Sequence, residues 1–195
     1  MAVFSAEDLA VFAIADFSGR MAAIREQIHP KLGQLGERMQ QPLSARVGEP
    51  LHPHVAKHAR RTKNPPEDTW VAFGPNNRGY KAYPYLGVAV SRFGVHVQLV
   101  AKPEAWNLRP AMADRLDAAR PSVVLASFWN WDFRSAPEEQ TTDDAFWDAR
   151  LHKMRLKTGG LDIGRTLPSA ESDPDRLLGH MDDLADLYRT VRGLE

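Results

Sequence analysis

The stretch HVAKHARRTKNPPEDTWVAFGPNNRGYK, residues 54–81, gathers two histidines, six basic side chains and three aromatic rings around only two acids, Glu67 and Asp68. Such a composition suits an anion. Lys57, Arg60, Arg61, Arg78 and Lys81 supply charge, and each guanidinium offers paired N–H donors that match phosphate or carboxylate. Asn64, Asn76 and Asn77 add neutral donors, while Trp70, Tyr80 and Tyr83 provide faces on which a base or sugar stacks.

The histidines leave two readings open. If residues 52–61 are extended, His52, His54, His58 and Arg60 share one face. If they are helical, His54 and His58 stand at i and i+4, a spacing that can hold one metal ion. A metal site wants a further ligand, and Glu49, Glu67 and Asp68 lack any diagnostic spacing, so neither metal nor cofactor is assigned. The plain alternative is a solvated sheet face whose arginines pair with the C-terminal segment. Residues 171–186 hold Glu171, Asp173, Asp175, Asp182, Asp183 and Asp186 against Arg176 alone.

Other signals are weaker. Gly159-Gly160-Leu161-Asp162-Ile163-Gly164 precedes an expected strand, whereas a phosphate cradle needs a helix N-terminus after it. No G-x-S-x-G elbow is present. Glu138, Glu139, Asp143 and Asp144 sit where a helix start favours negative charge. Arg165, inside a short strand, must reach water or a partner; a surface ion pair is the alternative to a place in the basic face.

The elements that must position these residues follow from periodicity. Ser5 and Asp8 cap a short helix over 6–14. Met21, Ile24, Ile28, Leu32, Leu35 and Met39 form one stripe on a helix from about 18 to 40, kinked at Pro30. TWVAF (69–73) reads as a strand, and 86–101 as a hairpin around Ser91-Arg92-Phe93-Gly94. Its second arm places Phe93, Val95, Val97 and Leu99 on the packed side and His96 and Gln98 on the other. Pro110 opens a helix to about 120; 121–133 is a strand with Val123, Leu125, Trp129, Trp131 and Phe133 on one face. A helix over 142–157 stops at Gly159, 161–167 is the last strand, and Leu177, Met181, Leu184, Tyr188 and Val191 mark one final helix. The order predicts an α+β fold with helices on one face of a curved antiparallel sheet.

A chain of 195 residues that is 43 % apolar is enough for one domain over 1–195. With 25 basic and 25 acidic residues, net charge offers no bulk attraction to nucleic acid or membrane, so any attraction needs a patch. The absence of cysteine removes disulfides and thiolate chemistry. The N-terminal apolar run is too short to span a bilayer and has no basic flank. A soluble, cytoplasmic protein without a membrane partner is expected.

Three stretches, IREQIHPK (24–31), residues 54–81 and IGRTLP (163–168), resemble the YktB-like family of uncharacterised proteins over most of the chain. The resemblance implies an α+β domain with a strongly twisted antiparallel sheet, similar to the TATA-binding-protein-like architecture, and no assigned activity. It covers His54, Lys57, His58, Arg60, Arg61, Asn64, Asp68, Trp70, Asn76, Arg78, Gly79, Tyr80, Lys81, Gly164 and Arg165, and leaves out His52. The candidate site is therefore His54, His58, Arg60, Arg61, Asn64, Trp70, Asn76, Arg78, Tyr80, Lys81 and Arg165, binding a phosphorylated small molecule or a nucleic-acid segment. One alternative is an enzyme with His54 or His58 as general acid or base, and Arg60 and Arg61 stabilising an anionic transition state. Another is a structural or interaction protein without a ligand.

Overall fold

The computed structural model describes residues 1–120, 127–130 and 138–194. Ser5 caps α1 (Ala6–Ala10) through a reciprocal pair: its hydroxyl accepts from the Asp8 N–H, and its own N–H donates to Asp8 Oδ2 at 2.7 Å. A 3₁₀ turn and α2 (Phe17–Ala23) follow. The kink expected at Pro30 takes the form of a π-helical turn, Ile24–Ile28, just before α3 (His29–Val47). A proline without an N–H is tolerated in the first turn, where no intrahelical acceptor is lost. The helix runs past the expected end at Gln40, through Pro42, to Gly48, whose φ of 79° suits glycine.

Seven strands form one antiparallel sheet among the described residues, in the order β1-β2-β3-β4-β7-β5-β6. They are β1 (His52–Val55), β2 (Asp68–Gly74), β3 (Pro84–Ser91), β4 (Gly94–Ala101), β5 (Ser127–Asn130), β6 (Glu139–Thr141) and β7 (Leu161–Leu167). The remaining helices are α4 (Arg109–Ala119), α5 (Asp144–Arg155), α6 (Pro174–His180) and α7 (Asp182–Arg192). The expected α+β fold, helices packed on a twisted antiparallel sheet, is what forms. The single final helix is instead two, broken at Met181. Of the strand expected over 121–133, residues 127–130 form β5; Val123, Leu125, Trp131 and Phe133 lie outside the described residues.

The apolar face of the sheet, Val71, Phe73, Leu86, Val88, Val95, Val97, Leu99 and Ile163, meets the stripes of α3, α6 and α7. Gly36 lets α3 approach closely, since a Cβ there would stand 3.0 Å from Pro53 and 3.2 Å from Val71. The expectation that β4 is packed on one side only is corrected. His96 and Gln98 are as buried as the valines between them. His96 is satisfied by neighbours on adjacent strands: Ser91 Oγ lies 2.7 Å from its Nε2 and Thr166 Oγ1 lies 3.0 Å from its Nδ1. Polar residues on a strand can thus be interior when cross-strand partners satisfy them.

Gly164, in the IGRTLP stretch, is a packing requirement. A Cβ there would fall 2.0 Å from the Val97 carbonyl oxygen of the paired strand. At the far side Arg109 is 1 % exposed, and its guanidinium donates to the carbonyls of Met154, Leu156 and Lys157 at 2.7–3.0 Å, closing the C-terminal end of α5. Arg109→Met would leave these carbonyls without their common donor. We expect a loss of about 3 kcal/mol, read as a lower urea midpoint at unchanged m value.

Candidate functional site

β2 runs three residues past the end of β1, because Val55 pairs with Val71 and nothing in β1 faces Asp68–Trp70. One further main-chain bond, from the Ala56 N–H to the Trp70 carbonyl at 2.9 Å, holds the chain to that edge. His58 then turns it away with a φ of 49°, a left-handed conformation uncommon for a residue with a Cβ. The Arg61 N–H donates to the His58 carbonyl at 3.0 Å and closes the turn. At the other end of β2, the loop after Gly74 folds back over the sheet. Tyr80 packs where a Cβ on Gly74 would stand 3.0 Å away, and edge-on to Tyr85 at 4.9 Å. Asn76 accepts from the Arg78 N–H through its side chain at 2.8 Å, and its carbonyl accepts from His54 Nε2–H at 2.9 Å.

These two straps enclose an open groove of about 900 Å³. Its lining includes His54, Lys57, His58, Arg60, Arg61, Trp70, Asn76, Arg78, Tyr80, Lys81 and Tyr83, and no carboxylate. Nine of the eleven candidate site residues therefore meet at one surface. Asn64 does not line it; its carbonyl lies 3.5 Å from Arg61 Nη1, the limit of a hydrogen bond. Arg165 lies on the opposite, helix-covered face of the sheet, bonded to Asp183 at 2.6 Å and to the His180 carbonyl at 3.3 Å. The ion pair weighed for it from sequence is the arrangement found.

The acidic C-terminal segment does not neutralise the groove. Asp182 and Asp183 pair with Arg46 and Arg165, and Glu49 holds Arg192 and the Tyr188 hydroxyl. Among the described residues, Lys57, Arg60, Arg61, Arg78 and Lys81 have no carboxylate within 4 Å. A second, more open depression of about 610 Å³ next to Glu49 carries Glu37 and Glu49 and no cation, so it lacks the chemistry of the groove.

Burial first, then the Arg61, His29 and Lys81 charges, pushes His58 down to about 4, so at pH 7 it is neutral. Its Nε2 lies 3.0 Å from the Thr69 hydroxyl, and His29 Nε2 lies 3.2 Å from the same oxygen. His29 was missed as a site residue; the only sign of it in the sequence is its place in IREQIHPK. His54 and His58 do not stack on a helix, since His54 belongs to β1 and His58 to the turn. Among the described residues no three metal-ligating side chains converge.

Behind Trp70 the sheet face is polar. Lys102 Nζ stands 5.3 Å from the Trp70 ring centre and 3.8 Å from Asp162. Burial pushes Asp68 up to about 7 and Asp162 up to about 6, with Lys102 partly offsetting both. Tyr85 Oη, Gln98 Oε1 and Asp162 Oδ1 are buried without partners, at a cost of about 1–3 kcal/mol each. The Trp70 indole N–H lies beside the Tyr80 hydroxyl without reaching full hydrogen-bond geometry.

Fold and groove together define an α+β protein whose antiparallel sheet carries an acid-free basic cleft at one edge and helices on the opposite face. The chain belongs to the family described as a domain of unknown function, DUF1054, whose model matches residues 4–191. It is 35 % identical to a UPF0637 protein of Staphylococcus saprophyticus over 175 residues, 86 % of each chain. A UPF0637 protein of Lysinibacillus sphaericus is 36 % identical over 173 residues, 85 % of this chain and 81 % of that one. One from Bacillus cytotoxicus is 49 % identical over 134 residues, 66 % of this chain and 64 % of the other. These matches bear out the family resemblance of the motifs, and the family is one of unknown function. No described helix is long and apolar enough to cross a membrane.

The titrating groups act on stability with opposite signs. His58 holds fewer protons folded than unfolded, so its contribution is present above about pH 6.5 and is lost as pH falls towards 4. Asp68 holds its proton more tightly folded, so its contribution is present below about pH 4 and is lost as pH rises through 7. Asp68→Asn should therefore stabilise the protein more at pH 8 than at pH 4. Thermal melts of the two proteins across that range check it; a pH-independent difference would refute the burial argument.

Proposed function

We propose that this protein is a cytoplasmic, single-domain binding protein for a phosphorylated ligand, held in the groove by Arg60, Arg61, Arg78 and Lys81. The observation that supports this most is the absence of any carboxylate from a cleft lined by five cations. Cations brought together without counter-charges repel one another, and an anion relieves that repulsion while accepting charge-assisted hydrogen bonds. Trp70, Tyr80 and Tyr83 add stacking surfaces, which suit a base or sugar attached to the phosphate. A free phosphorylated small molecule and a nucleic-acid segment share this chemistry.

Binding without turnover fits His58 better than catalysis does. A general acid or base works best with a pKa near the operating pH, and His58 is pushed to about 4 with its Nε2 engaged by Thr69. The arginines then stabilise a ground-state anion and not a transition state.

Titration calorimetry with pyrophosphate and with a short single-stranded oligonucleotide, each at 50 and 200 mM salt, tests the reading and separates the two ligand sources. Affinity should fall with salt, and the exposed substitutions Arg78→Ala and Lys81→Ala should each weaken binding about tenfold, the equivalent of one charged hydrogen bond. Undetectable binding, or affinity indifferent to salt and to both substitutions, would exclude the proposal.

A further inference from the structure

The hydroxyl of Thr69 lies 3.0 Å from His58 Nε2 and 3.2 Å from His29 Nε2, and the two rings are stacked with centroids 6.5 Å apart. Thr69 is fully buried, and its hydroxyl carries one proton. It could accept from both rings only if its own proton had a third acceptor, and among the described residues His58 and His29 are its only partners, so it donates to one imidazole and accepts from the other. Two arrangements result. In the first, His58 Nε2–H donates to Thr69, Thr69 donates to His29 Nε2, and both outer protons are fixed: His58 Nδ1 is a bare lone pair and His29 Nδ1 carries hydrogen. In the second, His29 Nε2–H donates to Thr69, Thr69 donates to His58 Nε2, and His58 carries its hydrogen on Nδ1.

The outer nitrogens are not sealed. His58 lines the groove, and neither His58 Nδ1 nor His29 Nδ1 is among the buried polar atoms that lack a partner. His58 lines the groove while its Nε2 is taken by Thr69, which does not, so the nitrogen left for a ligand is Nδ1, a lone pair or an N–H depending on how Thr69 is turned. In the empty groove the Arg61 and Lys81 charges, both of which act on His58, favour a lone pair towards them. An anion seated among the same cations repels a lone pair and accepts from an N–H.

We propose that His29, Thr69 and His58 form a proton switch set by the groove: an anion selects the arrangement in which His58 Nδ1–H donates to it and His29 Nε2–H donates to Thr69. His29 is then a positioning residue, acting on the ligand only through Thr69 and His58. The change is balanced. The Nε2 proton of His58 passes to Thr69 while the hydroxyl proton passes to His29 Nε2; water gives one proton to His58 Nδ1 and takes one from His29 Nδ1. No net proton is bound or released. The inference rests on the groove being an anion site, and it extends the site to the first turn of α3, where the π-helical turn meets Pro30.

The test is ¹⁵N NMR of the imidazoles in the full chain at pH 7, with and without saturating pyrophosphate. His58 should change from the Nε2–H to the Nδ1–H tautomer on binding, and His29 should change in the opposite sense. Thr69→Val, which keeps the shape and removes the hydroxyl, should abolish the paired change and weaken pyrophosphate about tenfold, as loss of a pre-set donor predicts. Thr69→Ser should restore both. If pyrophosphate binds but His58 keeps the Nε2–H tautomer, the switch is refuted while the anion site stands. Equal affinity for Thr69→Val and the parent also refutes the switch. If pyrophosphate does not bind at all, the anion site falls and the switch with it.

Discussion

The edge of β2 left uncovered by β1 is the constraint from which the groove follows. A strand edge with free N–H and C=O groups must be paired or shielded, and here a single bond from Ala56 to Trp70 does so before the chain departs at His58. Had β1 continued along β2, the His58 side chain would lie in the plane of alternation with its neighbours and the arginines would spread along a flat strand. The left-handed turn instead brings Arg60 and Arg61 to the groove that Arg78 and Lys81 line from the second strap. Backbone strain at His58 costs on the order of 1–3 kcal/mol, and the stacked His29 and the Thr69 hydroxyl are what hold it.

Charge is segregated rather than balanced locally. A chain with equal numbers of acids and bases could pair them all, yet Asp182 and Asp183 of α7 meet Arg46 and Arg165 on the helix-covered face, and Glu49 meets Arg192. Screening at physiological salt decays over about 8 Å. Acids on the far side of a sheet and a helix layer therefore contribute little to the field inside the groove. Arg165 shows the division at one residue: its strand neighbours Gly164 and Thr166 face the polar side with His96 and Gln98, while Arg165 itself faces α7.

Periodicity read most of the elements correctly where one face was plainly apolar, as in the stripe of α3, the hairpin of β3 and β4, and β7. It failed where burial depended on partners that are distant in sequence. His96 looks like a solvent-facing strand residue until Ser91 and Thr166 are placed on either side of it. Nothing local marks Met181 as a break, because Leu177, Leu184 and Tyr188 stay on one stripe across it. The basic segment was legible as a unit because its residue types are unusual together, and nine of its residues do converge. Charge and the family motif group Arg165 with them; strand parity, which puts it opposite His96's face, is fixed only by the register of β4 with β7. His29 was invisible because its role depends on Thr69, forty residues away.

The polar layer behind Trp70 argues that this face is not arranged for stability. Asp68 and Asp162 are held in a setting that raises both towards neutrality, and Tyr85, Gln98 and Asp162 keep buried polar atoms without partners. Replacing such groups with apolar residues of similar shape is often neutral or stabilising, and the small neighbours Ala72, Gly87 and Ala89 would admit it sterically on the same face. Asp68 and Trp70 lie within one stretch with the groove cations, and Trp70 touches both environments, with His58 edge-on at 5.3 Å and Lys102 Nζ 5.3 Å from its ring centre. Trp70 thus belongs both to the lining of the groove and to a buried layer whose unpartnered polar atoms cost stability.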